Sequence, residues 1–177
     1  MSLPLKIKNL ILSLLALFCL SFSGLCQNPV REAINGSEGR NGFNLVTLGP
    51  GKIKLMSALV KDKQTRQTLK NLDRIQTLSV PMSPEGVDFL GSLGKMAKST
   101  YMHLADFHDQ NADEYDIYLL FSGETPSQSL TPEDLSGMPD DTLINEILII
   151  RPLAGTVMLM EGKIPLGANL WNSMINP

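Results

Sequence analysis

Two histidines and several carboxylates lie between residues 103 and 116, and these side-chain types bind metal ions or transfer protons. His103, Asp106 and His108 are the candidate metal ligands, and they are also the candidates for a hydrolytic enzyme. On an uninterrupted strand, His103 would lie on one face, with Asp106 and His108 on the other. Two ligands make a poor metal site. The pattern therefore predicts a polar strand face and a solvated turn, with no metal, no cofactor and no catalytic residue.

Two further patterns resemble ligand-binding loops but lack residues that such loops require. Residues 109–113 begin with the spacing of a calcium loop, but the chain has Glu114 and Leu120 where Gly and a bidentate Glu belong. Residues 49–52 read Gly-Pro-Gly-Lys, without the upstream Gly and the following Ser or Thr of a phosphate-binding loop. Both segments are interpreted as turns, the second leading into a helix.

Nucleophilic and acid–base catalysis find no better support in the sequence. No Gly-x-Ser-x-Gly elbow is present, and the two cysteines fall at positions 19 and 26. The carboxylates of the Pro-rich segment 122–141 are expected to be solvated, so nothing there would raise a pKa toward neutrality. Contact with a partner is the more plausible role for that acidic loop.

The first 26 residues have the organisation of a cleavable export signal. Lys6 and Lys8 precede an apolar run from Leu10 to Phe22, which is shorter than the roughly 20 residues of a membrane-spanning helix. Cleavage before Gln27 would place small residues at the two positions that signal peptidase reads. The sequence therefore predicts a periplasmic or secreted protein, with a short N-terminal membrane anchor as the alternative.

Cys26 allows a different outcome, because an exported chain can be lipidated on a cysteine and held at the outer membrane. The match is poor, since Leu25 stands where a small residue is preferred. Cleavage after Cys26 would instead leave a mature domain without thiols, which excludes a disulfide scaffold and a cysteine nucleophile. Attachment to a membrane is expected only if Cys26 is lipidated.

Charge excludes one class of partner. The formal net charge is −3, and removal of residues 1–26 would take away two lysines and no acid. An acidic domain has no long-range attraction for phosphate backbones, so nucleic acid is not an expected partner. An envelope protein or another ligand is expected instead.

Periodicity predicts the elements that would position these residues. Residues 27–42 are expected to be a flexible leader, and residues 43–177 a single α+β domain with strands and helices in the order β-α-β-α-β-β-β-β plus a short C-terminal helix. The strands are placed at 43–48, 74–80, 101–108, 115–121, 143–150 and 156–161. This order favours a mainly antiparallel sheet with helices packed on one face.

The second long helix begins with Ser83 as its N-cap and Pro84 in the first turn. Val87, Leu90, Met96 and Ala97 are expected to form its buried stripe. Gly86, Gly91 and Gly94 lower the helix propensity of this segment. We expect them to let the helix approach the sheet closely.

Four stretches resemble the domain-of-unknown-function family numbered 4252, which groups exported proteins of Bacteroidetes. They are Phe43–Pro50 with the Lys54-Leu-Met helix, Leu72–Leu78, Tyr101–Leu104, and Ile144–Ile150 leading to Met158–Ile164. The resemblance covers roughly residues 42 to 175 and implies a secreted or envelope-attached α+β domain. It assigns no activity and no site residues.

Two functions are carried forward from the sequence. The first is a non-enzymatic exported module that binds a protein or another ligand across its exposed sheet face or its acidic loop. The second is a metal-dependent or hydrolytic enzyme that uses His103 or His108 with Asp106.

Overall fold

The computed structural model describes residues 28–108, 114–122 and 129–166. The signal segment with Cys26, the calcium-like turn and the predicted C-terminal helix lie outside these ranges. The helices are α1 Pro29–Asn35, α2 Pro50–Leu59, α3 Lys63–Lys70, α4 Pro84–Thr100 and α5 Pro132–Ser136; the strands are β1 Asn44–Leu48, β2 Leu72–Ser79, β3 Met102–His108, β4 Glu114–Phe121, β5 Leu143–Arg151 and β6 Thr156–Pro165.

The six strands form one open sheet in the order β1-β2-β6-β5-β4-β3, and every neighbouring pair is antiparallel. Helix α4 carries the chain from β2 near one edge of the sheet to β3 at the other edge. The predicted α+β class with a mainly antiparallel sheet is confirmed. The most apolar strand, β5, lies inside the sheet between β4 and β6, as its continuous apolar run predicts.

Helices cover both faces of the sheet, which corrects the expectation that they pack on one. Helices α1 and α4 share a buried cluster with Leu148 and Leu159. Helices α2 and α5 share a second buried cluster with Ile147 and Met160, which are the sequence neighbours of that first pair. Because neighbouring strand residues point to opposite faces, the two clusters lie on opposite sides of the sheet.

The segment expected to be a flexible leader instead forms α1. Asn28 is its N-cap and accepts hydrogen bonds from the backbone N–H groups of Val30 and Arg31. Val30 and Ile34 are buried against α4 and the sheet. Apolar residues four apart lie on one side of a helix, and their burial overrides the polar, Gly- and Asn-rich composition that favoured a loop.

Beyond α1, Arg40 fixes the connecting loop to α4. Its guanidinium lies 4.7 Å from the ring centroid of Phe43 and 5.5 Å from that of Phe89, and it binds the carboxylate of Glu85 at 2.8 Å. The rings of Phe43 and Phe89 meet edge to face at 5.2 Å. The described part of the predicted leader is therefore held to the domain at α1 and at Arg40.

Strand β3 carries a bulge at the place where the histidine pattern lies. Leu104 pairs with Ile117, but the next paired residue is Phe107, opposite Tyr115. Two residues of β3 therefore stand against Asp116 alone. The simple alternation assumed for His103, Asp106 and His108 does not continue across this bulge.

Candidate functional site

A groove runs between α4 and strands β4 and β5, with a volume of about 320 Å³. One stripe of α4 forms its wall, because residues three and four apart lie on the same side of a helix. The stripe comprises Val87, Leu90, Gly91, Gly94, Lys95 and Lys98. The adjacent stripe, with Leu93 and Ala97, is fully buried in the core. Helix α4 thus uses one side for the core and leaves the next side to the groove.

Gly91 and Gly94 have no side chain that would fill this groove from the α4 side. A Cβ atom placed on Gly91 or Gly94 would have no neighbouring atom within 4 Å. These glycines therefore do not serve a close approach to the sheet, which corrects the interpretation made from the sequence. Gly86 serves a different close contact, because a Cβ atom there would lie 1.8 Å from the carbonyl oxygen of Pro81 in the connection before α4.

The inside of the groove is largely apolar. Tyr118 and Ile150 contribute from the sheet and are buried, while Leu90 comes from α4 and Pro152 from the turn after β5. Val87 was expected in the core but lies on the groove, with 52% of its surface exposed. A groove of this size and lining matches the small end of known ligand pockets.

Charged side chains stand around this apolar interior. Lys95 and Lys98 belong to the lining and are exposed. Opposite them, Asp116 also lines the groove and lies with its Oδ1 3.2 Å from Nε2 of His103. The His103 ring contacts the ring of Tyr118, with centroids 4.9 Å apart. The described lining of the groove therefore carries two lysine cations on α4 and one carboxylate, whose Oδ1 lies within hydrogen-bond distance of His103.

Of the candidate ligands from the sequence, His103 has a described side chain, and it lies beside the groove. For Asp106 and His108 the structure describes the backbone of β3, and their side chains are outside the described set. Within the described residues, no three histidine, cysteine, aspartate or glutamate side chains come together as metal ligands. Among the residues whose side chains are described, the structure brings His103 together with Asp116, which the sequence analysis did not pair with it.

A second polar cluster, which the sequence analysis did not identify, ties α1 to the sheet; it is called the Arg31 cluster below. It consists of Asn28, Arg31, Arg74, Tyr101, Glu146 and Glu161. Arg31 binds Glu146 directly and lies 3.3 Å from Glu161, which is also 3.5 Å from Arg74. Glu146 and Glu161 are paired across β5 and β6.

Tyr101 closes the Arg31 cluster from the start of β3. Its hydroxyl donates to Glu146 at 2.7 Å and accepts from the amide of Asn28 at 2.6 Å. Burial, with the Glu146 carboxylate beside it, raises the pKa of the Tyr101 hydroxyl far above its ordinary value. Tyr101 is therefore a permanent neutral donor to Glu146.

Glu161 has a perturbed acidity of its own. Burial raises the pKa of the Glu161 carboxyl, and the nearby guanidiniums of Arg31 and Arg74 oppose that rise. Perturbed groups often mark catalytic sites, but each member here has a direct structural partner in the docking of α1. One sequence signal pointed to this cluster: Glu146 is a single carboxylate inside the most apolar strand.

The acidic loop is partly anchored to the core. Leu130 and Leu135 are buried, and Leu130 forms a parallel bridge with Leu104. Its carboxylates at 133, 134, 140 and 141 are exposed, as expected from the sequence. Hydrogen bonds from the backbone and hydroxyl of Thr131 lower the pKa of Asp134, as part of the N-terminal cap of α5.

Comparison with protein-family models, with curated proteins and with solved structures gave no match. The resemblance to family 4252 therefore stays a prediction from the sequence. Among the described residues, no helix has the length and apolar character needed to cross a membrane.

Proposed function

We propose that this protein is an exported, non-enzymatic binding module whose ligand is a small amphipathic anion held in the groove beside α4. The observation that carries the proposal is the open stripe of α4, where two glycines face empty space in the middle of a 17-residue helix. Glycine costs a helix about 1 kcal/mol relative to alanine. Alanine would fit at both positions without contact, so the two glycines are not required by packing and leave space open beside the helix.

The chemistry of the lining supports an anion with an apolar body. Leu90, Ile150 and Pro152 offer apolar surface, and such surface favours a hydrocarbon or ring over a strongly hydrated molecule. Lys95 and Lys98 can reach a carboxylate, sulfonate or phosphate at the mouth, because their long side chains extend to solvent. The covered sheet faces leave this groove, rather than an exposed sheet, as the binding surface of the proposal.

Calorimetric titration with dodecanoate tests this proposal, with dodecyltrimethylammonium as the probe of opposite charge. Dodecanoate is expected to bind and the cation to bind at least about tenfold more weakly. Gly91→Leu with Gly94→Leu should fill the groove and abolish binding. Lys95→Gln with Lys98→Gln should weaken dodecanoate by about tenfold, since each exposed charge contributes up to about 1 kcal/mol.

Gly51→Leu is the matched control, because Gly51 also lies in a helix with no atom within 4 Å of its missing Cβ and lies outside the groove. This variant should bind dodecanoate as the unmodified protein does. Equal affinity for the two amphiphiles, or full binding by the Leu variants, would contradict the proposal. Thermal melts of each variant establish that the fold is retained.

The alternative, a metal-dependent or hydrolytic enzyme using His103, His108 and Asp106, gains support from one observation. His103 is held by Asp116 at 3.2 Å beside a groove, and a carboxylate that orients a histidine is a feature of proton-transfer sites. Hydrolysis of p-nitrophenyl acetate that is lost in His103→Ala, while dodecanoate binding persists, would favour this alternative. No difference between His103→Ala and the unmodified protein would remove it.

A further inference from the structure

The outer face of α2 is an exposed apolar surface. Lys52, Leu55, Met56 and Leu59 have the spacing of residues on one side of a helix, and they are called the Leu55 face below. Leu55 is 66% exposed, Met56 41% and Leu59 77%. The opposite side of α2 packs on the domain through Ile53 and Ser57, which are both buried. Leu55 and Leu59 therefore point toward solvent and do not pack in the core.

Positive charge is concentrated around this surface. Residues 50–70 contain six of the 15 lysines and arginines of the chain but only one of its 18 acidic residues. Lys52, Lys54, Lys61 and Lys63 are exposed. The single acid, Asp62, accepts the backbone N–H of Thr65 at 2.6 Å as the N-cap of α3. This stretch is strongly basic in a protein that is acidic overall.

The connection between α2 and α3 is fixed, so this charge stays beside the exposed leucines. Arg66 donates from Nε and Nη2 to the carbonyl oxygen of Val60 at 3.0 and 2.7 Å. Val60 is the residue that ends α2. The Arg66 guanidinium is therefore held at the C-terminal end of the helix that carries the Leu55 face.

From this arrangement we infer that the Leu55 face docks the protein on an anionic lipid surface. Leucine and methionine side chains can enter the boundary between headgroups and acyl chains while lysines on flexible stems contact the lipid phosphates. Each lysine near an anionic surface adds favourable energy that depends on salt. A second copy presenting the same face would bring two basic stretches together, which like-charge repulsion disfavours.

This attachment would be independent of lipidation at Cys26 and of the groove beside α4. Helix α2 is too short to cross a bilayer, since ten residues of helix rise about 15 Å. It would lie in the plane of the surface, with Ile53 and Ser57 still packed on the domain. The protein would then bind reversibly as a peripheral domain.

Co-sedimentation with vesicles tests this inference, using protein purified from its own host in the N-terminal form that the host produces. Vesicles of phosphatidylglycerol with phosphatidylcholine should sediment the protein about tenfold more effectively than pure phosphatidylcholine, and added salt should reduce binding. Leu55→Gln with Leu59→Gln should lower the partition by about tenfold. Lys52→Gln with Lys54→Gln should lower it by a similar factor.

Leu153→Gln is the matched control, since its side chain is exposed in the turn between β5 and β6. This control should not change the partition. Equal binding to neutral vesicles, or full binding by the Leu55 and Leu59 variant, would overturn the inference. The inference would also be overturned if these variants lost self-association, or binding to an acidic protein, while their binding to vesicles stayed unchanged. Circular dichroism melts verify that each variant is folded.

Discussion

At the scale of single residues, Tyr101 and Glu146 show how buried polar side chains are stabilised inside this domain. Tyr101 is 1% exposed and Glu146 6%, and both lie under α1. A buried carboxylate is tolerated when hydrogen bonds and an opposite charge replace water. Here the Tyr101 hydroxyl, the Asn28 amide and the Arg31 guanidinium supply that replacement.

The raised pKa of Tyr101 predicts how stability changes in alkali. Its folded-state pKa lies above the value of about 10 in the unfolded chain, so the folded state holds the proton more tightly. The stabilising contribution is complete below pH 10, and it falls as the pH rises above 10 by about 1.4 kcal/mol per pH unit. The Tyr101→Phe variant has no hydroxyl to titrate, so it lacks this pH-dependent contribution to the free energy of unfolding. It also lacks the hydrogen bond to Glu146 at every pH.

Urea unfolding at pH 7, 9, 10 and 11 measures this difference. Tyr101→Phe should be less stable at pH 7 by about 1–3 kcal/mol, because a buried charged group loses a hydrogen bond. The difference in free energy of unfolding between the unmodified protein and the Tyr101→Phe variant should become smaller above about pH 10. Parallel stability curves across the whole series would show that Tyr101 does not titrate as inferred.

At the scale of elements, helices α1 and α4 are held on the same face of the sheet by different interactions. Helix α4 has a buried apolar stripe that packs it on the sheet. Helix α1 is only seven residues long, and isolated helices of that length are not stable in water. Its position therefore depends on Val30 and Ile34 in the core together with the Arg31 cluster.

The docking of α1 predicts unequal effects for two arginine substitutions. Arg31→Ala would leave Glu146 buried without its guanidinium, and we expect a loss of about 2–3 kcal/mol, because Arg31 itself is partly exposed. Arg40→Ala removes a pair with the exposed Glu85 and a contact with two rings, which is worth about 1 kcal/mol.

Urea denaturation at neutral pH measures both variants. Arg31→Ala combined with Glu146→Met should recover part of the loss, because the Glu146 carboxylate would no longer be buried without its guanidinium. Equal costs for Arg31→Ala and Arg40→Ala would contradict the view that the Arg31 cluster holds α1 on the sheet.

At the scale of the whole molecule, one sheet separates two hydrophobic cores. Strand β5 contributes to both, with Ile147 on one side and Leu148 on the other. Because helices cover much of both faces, we expect ligands and partners to use grooves and helix surfaces. The groove beside α4 and the Leu55 face on α2 meet that condition on opposite sides of the sheet.

The N-terminal residue of the protein made by its own host tests the export predicted from residues 1–26. Mass spectrometry of protein from the native envelope is expected to give a chain that begins at Gln27, next to the Asn28 cap of α1. Cleavage there would leave the described domain intact. A diacylglyceryl-modified Cys26 would instead establish a lipoprotein, and an uncleaved chain would contradict the predicted cleavable signal.

The sequence alone was sufficient for features that depend on local pattern. Ser83 and Pro84 predicted the start of α4, and alternating or continuous apolar runs located the strands. These signals are local because capping and side-chain periodicity involve residues a few positions apart. The same patterns favoured the α+β class.

Tertiary contacts decided what local pattern could not. The bulge in β3 ended the alternation used for the histidines, and Asp116 became the partner of His103 across two strands. The polar segment before Phe43 became a helix because the core buries Val30 and Ile34. Gly91 and Gly94 face open space while Gly86 meets the Pro81 backbone, although all three look alike in the sequence. The first two depend on atoms distant along the chain, and the glycine contacts depend on the path of the backbone before α4; periodicity encodes neither.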